Sequence, residues 1–497
     1  MDPPGADNPP PPPAISDRVL IGGTVDPVTL TADGSLVWPG GRHRSLSVEE
    51  EVLGVDAEGP RIRIKALVDD GAGDRACWAG GKGGGGLVRK DVVFEPLSEE
   101  SRRLWCDKLR GCLDSLDRPK KLFILLNPFG GKKLAPKTLA NVVKPLLEDA
   151  SIQFDIQETQ HQFHAKEVAR SLDLSKYDGI VCVSGDGILV EVVNGLLERE
   201  DWEAAIKVPI GIVPAGTGNG MVKSLLDSVG EPCTASYATL AIIRGHKKSL
   251  DVAAIKQGDA KFFSILMLSW GLVADIDIES EKYRWMGSAR LDFYALQRIL
   301  HLRRYSGRIS FVPAPGYETH GEPTSYSGNF GGKDIVFEKS ERSSAKVEGQ
   351  GYQGPDVKLE ELSWRSIDGP FVSIWLHNVP WGGEDIMAAP DAKFSDGCLD
   401  LIAIRDCPKL SLLSLMTELN NGGHVKSPYV IYIKVKAFVL EPGPRVDDPT
   451  KEGIIDTDGE VLAKGKGTFK SEHKTIMAYD RLLITVDQGL ATVFSPI

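Results

Sequence analysis

Three glycine-rich segments hold the residues best placed to do chemistry. Asp186 lies in Val183-Ser184-Gly185-Asp186-Gly187, between the apolar run 180–183 and the helical pattern 188–194. A carboxylate on a glycine-flanked turn at a strand end is presented at the open edge of a sheet, where it can take a proton from a substrate hydroxyl. That placement points to phosphoryl transfer, although Asp-Gly also favours turns for purely local reasons. Two further loops, Asn127-Pro128-Phe129-Gly130-Gly131-Lys132 and Pro214-Ala215-Gly216-Thr217-Gly218-Asn219-Gly220, tip the balance. Gly216, Thr217 and Gly218 permit close backbone approach to phosphates just before a helix N-terminus.

The elements that must position these loops read as strand, glycine loop, helix, repeated between residues 119 and 227. Near-continuous apolar strands alternating with helices predict a parallel sheet covered on both faces. Loops after parallel strands gather on one edge, so the three segments are expected to share one crevice, the nucleotide site.

Around this core the chain of 497 residues is long enough for two or three domains. A net charge of -11 argues against a protein that tracks nucleic-acid phosphates. The seven cysteines are scattered and never spaced C-x-x-C, which indicates neither a disulfide framework nor a zinc site and suits a reducing, cytoplasmic setting. His161 and His164 have no metalloprotease Glu spacing and read as surface residues.

Residues 1–17 read as a disordered Pro-rich tail that is not a signal peptide. Residues 18–117 read as short strands closed by a helix capped at Ser98, with Leu104, Trp105, Leu109, Cys112 and Leu116 as its apolar face. The glycine run 80–86 lacks phosphate-loop spacing and reads as a flexible hairpin loop. Residues 118–248 form the α/β domain, and 249–497 an antiparallel β-sandwich with a mobile polar insertion at about 320–368. The longest apolar stretch, 262–274, falls short of the ~18 residues a membrane span needs, leaving peripheral contact with membranes, endomembrane or vacuolar, as the expectation.

Taken together, the motifs at 126–132, 184–187 and 214–219 resemble the diacylglycerol-kinase-type lipid kinases. Trp270-Gly271-Leu272-Val273-Ala274-Asp275-Ile276-Asp277 with Glu281-Lys282-Tyr283-Arg284, and Asp458-Gly459-Glu460, are similar to sphingosine kinases. Phe94-Glu95-Pro96-Leu97-Ser98 resembles the plant-type long-chain-base kinases, and strands 18–97 with their closing helix resemble a pleckstrin-homology-like module. Two departures stand out: Ile188 where many relatives have Thr, and Gly220-Met221 after Asn219.

The resemblance implies a phosphofructokinase-like nucleotide domain, ATP with Mg2+ as cofactors, and a sphingoid long-chain base as lipid partner. It implies that Asn127, Pro128, Phe129, Thr159, Gln160, His161, Gln162, Phe163 and Glu191 line the nucleotide. Gly216, Thr217 and Gly218 would meet its phosphates, with Arg284 and Arg290 reaching them from the second domain. Asp458, Gly459 and Glu460 would help hold the nucleotide and its magnesium waters, although Asp-Gly is also a strong hairpin signal. Ser184, Gly185, Asp186, Gly187 and Asp277 would meet the lipid head. A partly buried carboxylate at Asp277 can pair with the base's ammonium, although Asp275 and Asp277 also read as alternate strand positions. Leu272, Val273 and Phe293 are candidates for the tail pocket or for simple core.

The expected reaction is γ-phosphoryl transfer from ATP to the primary hydroxyl of sphingoid bases, with Asp186 as general base. The rivals are a ceramide or diacylglycerol kinase of the same fold and a catalytically inert lipid-binding adaptor.

Overall fold

The computed structural model describes residues 13–39, 45–69, 86–131, 133–287, 289–325, 351–468 and 475–497. Seven strands, from Pro13–Ile21 to Leu87–Pro96, form one antiparallel sheet closed by the helix Glu99–Asp114. Ser98 caps that helix, its Oγ accepting from Ser101 N at 3.1 Å. The buried Trp105 meets Phe94 edge-on at 5.3 Å between ring centroids, whereas Leu104 is 47% exposed and lies off the apolar face expected for it.

The first strand begins at Pro13, inside the segment read as tail, because residues 15–21 continue the register with the strand Thr24–Thr31 and bury Ile15 and Val19. Most of the glycine run at 80–86 lies outside the described residues. The strands Arg61–Asp69 and Leu87–Pro96 on either side of it are paired antiparallel. The module is bound to the rest of the chain through Arg118, which donates to the carbonyls of Val48, Glu49 and Leu53, and through Arg89 and Lys65, both ion-paired to Asp149.

The nucleotide-domain strands run parallel in the order Ile210–Pro214, Gly179–Ser184, Lys121–Leu126, Gln153–Glu158. The central two are buried almost throughout, as a sheet covered on both faces requires. The C-terminal strand Leu482–Phe494 crosses the expected domain boundary. It pairs parallel with the nucleotide sheet through Ile210↔Val493, and antiparallel with Lys247–Gln257 and Val430–Arg445 of the second domain. One hydrogen-bonded sheet therefore runs through both domains, so the cleft between them is built on a continuous floor.

Antiparallel strands dominate the second domain, with Met267–Gly271 between Ser373–His377 and Ile454–Thr457. Asp275 and Asp277 lie on the helix Leu272–Glu279, not on a strand. The expected insertion is shorter than its composition suggested. Tyr352 is buried between Trp202 and Phe263, and the strands Glu322–Thr324 and Trp364–Asp368 pair with each other at its ends. Its central part, 326–350, lies outside the described residues. No described helix is long and apolar enough to cross a membrane.

Candidate active site

Adjacent strands bring the three glycine loops into contact. A Cβ on Gly216 would lie 2.3 Å from Gly185 Cα, and one on Gly131 would lie 3.1 Å from the Gly216 carbonyl carbon. Only glycine allows backbones to stack this closely. Asn127 shapes the first loop by accepting from Phe129 N at 3.0 Å and Gly130 N at 3.1 Å, which leaves the Phe129 ring exposed beside half-buried Pro128. Asn219, in left-handed conformation, ties the third loop by accepting from Gly216 N at 3.0 Å. Thr217 at its tip is exposed. Lys132 lies outside the described residues.

Asp186 opens the helix Asp186–Leu197 at the floor of this crevice. Its Oδ2 accepts from Gly220 N at 2.9 Å and its Oδ1 from Met221 N at 3.0 Å, the N-terminal amides of the helix Gly220–Asp227. Burial raises its carboxyl above the ordinary value while those amides pull it down. The side chain is thus fixed in orientation and a stronger base than a free aspartate. Ser184 Oγ donates to Gly185 O at 2.8 Å, so its proton is committed to the turn.

Glu191, one turn further on, does not project freely into the crevice. Its two oxygens accept from Phe163 N and Ala165 N, each at 3.0 Å, holding Phe163 at φ 67° and capping the helix His164–Ser171. It shapes the loop 159–163. Burial pushes its carboxyl up to about 7 despite the two donors, and nearby Glu460 adds to the rise. Thr159 is buried and donates N–H to Leu126 O at 2.8 Å, tying this loop to the end of the first strand.

His161, His164 and Glu167 have ligand atoms within 4.8 Å of one another. His164 Nδ1 accepts from Gln160 N at 3.1 Å, which ties that ring nitrogen to the loop 159–163.

The hairpin Asp458-Gly459-Glu460 reaches the same crevice from the second domain. Asp458 and Gly459 both have positive φ, the two-residue turn anticipated from Asp-Gly. Asp458 is no candidate ligand: its carboxylate accepts from Ser264 Oγ and from the backbone N–H groups of Ile265, Leu266 and Met267, at 2.7 to 3.0 Å. It builds the 264–267 turn. Glu460 carries the hairpin's reach, accepting from Gln162 Nε2 at 2.7 Å, with Oε1 lying 3.8 Å from where a Cβ on Gly187 would be.

On the helix Leu272–Glu279 the two aspartates separate cleanly. Asp275 is buried, accepting from Tyr305 Oη at 2.7 Å and Arg303 Nη1 at 3.1 Å, with Glu279 sharing the same arginine. Asp277 keeps 26% of its side chain exposed. Arg290 is held against the end of the same helix. It donates to Asp277 O at 3.0 Å and to Ser280 Oγ, and lies 3.7 Å from Asp277 Oδ1. The side chain of Arg284 lies outside the described residues. Leu272 is buried against Val372, Leu412 and Leu415, while Phe293 is exposed and is not core.

The family model for the diacylglycerol kinase catalytic domain matches residues 121–255, and that for the YegS C-terminal NAD kinase beta sandwich-like domain matches residues 356–476. The chain is 62% identical to Sphingosine kinase 1 of Arabidopsis thaliana, over 98% of this chain and 97% of that one. It belongs to the sphingosine kinase family. Human sphingosine kinase 1 is 33% identical over 70% of this chain and 87% of its own. Human ceramide kinase is 31% identical over 76% of this chain and 71% of its own.

Within this sphingosine kinase fold, one part of the crevice escaped the sequence reading. Trp381-Gly382-Gly383-Glu384 lies against the third glycine loop: Glu384 N donates to Gly218 O at 2.9 Å, and Asn219 Nδ2 donates to Glu384 Oε1 at 2.6 Å. A Cβ on Gly220 would lie 2.5 Å from Trp381 O. The glycine that departs from the family pattern thus makes room for a second-domain backbone. The Gly382-Gly383 pair was the available signal, and nothing local tied it to residue 220.

Proposed function

We propose that this chain transfers the γ-phosphoryl group of ATP to the primary hydroxyl of sphingoid long-chain bases, with Asp186 as general base. The hydroxyl oxygen forms the new bond to phosphorus, the bond to the β-phosphate oxygen breaks to release ADP, and the hydroxyl proton passes to Asp186. The observation that carries this reading is Asp186 itself, raised by burial and held by Gly220 N and Met221 N where three glycine loops converge. Phosphoryl transfer asks chiefly for such positioning and for neutralisation of spreading charge.

ATP is assigned to the crevice between the loops 127–131, 159–163 and 216–218, with Glu460 closing it from the second domain. Magnesium carried on the phosphates would neutralise charge on the transferring group. Glu460 would hold it through its waters, because Asp458 has its carboxylate filled by the protein. Asp277 is assigned to the ammonium of the base, which displaces the neighbouring Arg290. A neutral lipid offers nothing to replace that partner.

The N-terminal sheet and helix are read as a pleckstrin-homology-like module, and the chain as cytoplasmic with peripheral membrane contact. Exposed apolar side chains on and around the helix Ala289–Leu300 support that contact. Trp285 is 82% and Leu410 81% exposed, with Phe293, Leu296 and Leu300 also open to solvent on the helix Ala289–Leu300. Lys409 Nζ donates to Leu300 O at 2.7 Å, which brings Leu410 to the same end of that helix.

Asp186→Asn tests the reading directly. Turnover should fall by roughly two to four orders of magnitude while ATP binding, measured by calorimetry, is retained. Retained turnover would remove Asp186 as the base.

A further inference from the structure

The strand Ile454–Thr457 carries an acid that the proposed mechanism leaves unused. Asp456 is wholly buried; its Oδ2 has one bond, from Ser269 Oγ at 3.3 Å, and its Oδ1 has no hydrogen-bond partner. Leaving a buried polar atom unpaired is costly, because it gives up its bonds to water and gains none in return. Such an atom calls for an explanation.

Its position supplies one. Strand register sets Asp456 opposite Ser269. Side chains two apart share a strand face, so Asp456 points the same way as Ile454, which packs with Val461 against Ala274 and Ile278 of the helix Leu272–Glu279. Asp277 precedes Ile278 on that helix and is near enough for its charge to act on Asp456. Asp277 is partly exposed and Asp456 is not, so Asp456 is the inner member of the pair. Burial first, then the charges of Asp277, Asp458 and Glu460, hold the Asp456 carboxyl well above the ordinary carboxylate range. A carboxyl pushed in that direction suits an ammonium poorly, while its unpaired oxygen is placed to meet a hydroxyl.

We infer that Asp456, with Ser269, forms a hydroxyl-recognition subsite for the head of the long-chain base, favouring bases that carry a further hydroxyl on C4. This rests on the lipid head lying at Asp277, as proposed above. The ammonium on C2 pairs with the outer carboxylate, and the C4 hydroxyl reaches inward to Asp456. Arg290 gives up its 3.7 Å contact with Asp277 Oδ1 as the head enters. The unpaired oxygen then gains its partner only from a base that carries a hydroxyl at the right depth, and such a site discriminates against the analogue lacking it.

The test compares kcat/KM for phytosphingosine, which bears the C4 hydroxyl, with that for sphinganine, which lacks it, in the full chain and in Asp456→Ala and Ser269→Ala. The phytosphingosine-to-sphinganine ratio should fall about two- to tenfold in Asp456→Ala, through KM for phytosphingosine, with kcat for sphinganine held within about twofold. Ser269→Ala should move the ratio the same way by less. A thermal melt establishes that each variant is folded; Asp456→Leu, which fills the volume without a polar atom, replaces Asp456→Ala if the latter is not recovered. A ratio unmoved in the folded variants overturns the subsite while leaving the base-kinase reading intact. A wild-type chain that phosphorylates neither base overturns the reading on which the subsite rests.

Discussion

Gln162 and Glu460 meet across the interdomain crevice, Nε2 to Oε2 at 2.7 Å, although 298 positions separate them in the chain. The amide comes from the loop after the strand Gln153–Glu158, and the carboxylate from the hairpin beyond Ile454–Thr457. Together they tie the two domains to each other beside Gly187, where the loop 184–187 turns into its helix.

Breaking that contact should loosen the nucleotide end of the crevice without touching the base. Gln162→Ala is expected to raise KM for ATP about three- to tenfold with kcat less affected, and Glu460→Ala to raise it as much and to lower kcat as well, because it also removes the group assigned to the magnesium waters. Steady-state kinetics at varied ATP checks this. A double variant should lose less than the product of the single effects, because the two residues act on one contact.

Glu191 gives the site a pH dependence. Its folded pKa of about 7 lies above the ordinary 4.5, so the folded state binds the proton more tightly than the unfolded chain does. Stability from this group is full below about 4.5 and is lost as pH rises through about 7. Urea melts of wild type and Glu191→Gln between those limits should therefore diverge in slope, with the wild type falling and the variant flatter. In the same window KM for ATP should rise as pH falls, because the protonated carboxyl can no longer accept fully from both Phe163 N and Ala165 N.

Loop stacking at the crevice should tolerate no side chain. Gly216→Ala places a Cβ 2.3 Å from Gly185 Cα, and Gly220→Ala places one 2.5 Å from Trp381 O. Both contacts are with backbone, so each variant should lose more than about tenfold in kcat/KM, a cost of backbone displacement in a closely packed site. Gly459→Ala, where a Cβ meets nothing within 4 Å but φ is +81°, should cost stability in a thermal melt with a smaller effect on turnover.

Asp277 should discriminate amine-bearing from neutral lipids. Asp277→Asn is expected to lower kcat/KM for sphinganine about ten- to a hundredfold, the range being set by partial exposure of the pair, and to change any residual activity on ceramide far less. An equal loss on both lipids would remove the ammonium assignment.

Much of the nucleotide domain was legible because its signals are local. The buried runs 122–126 and 180–183 end in glycine loops, and those loops converge wherever parallel strands lie side by side. The second domain was less legible for physical reasons. Asp275-Ile276-Asp277-Ile278 alternates like a strand, yet packing of Leu272, Ala274 and Ile278 makes it a helix. Asp458 carries the same local signal whether it faces a ligand or caps a turn, and only the amides of 265–267 decide between them. Glu384 and the crossover strand Leu482–Phe494 depend on contacts more than a hundred residues away, which no periodicity records. The polar stretch after His320 hid Tyr352 and Trp364, two aromatic anchors diluted by their surroundings.

The most direct measurement is phosphate transfer from labelled Mg-ATP to sphinganine, phytosphingosine, ceramide and diacylglycerol side by side, with wild type and Asp186→Asn. The account expects turnover on the two free bases, little on the neutral lipids, and near-complete loss in the variant. Preference for ceramide or diacylglycerol, or full activity without the Asp186 carboxylate, would contradict it.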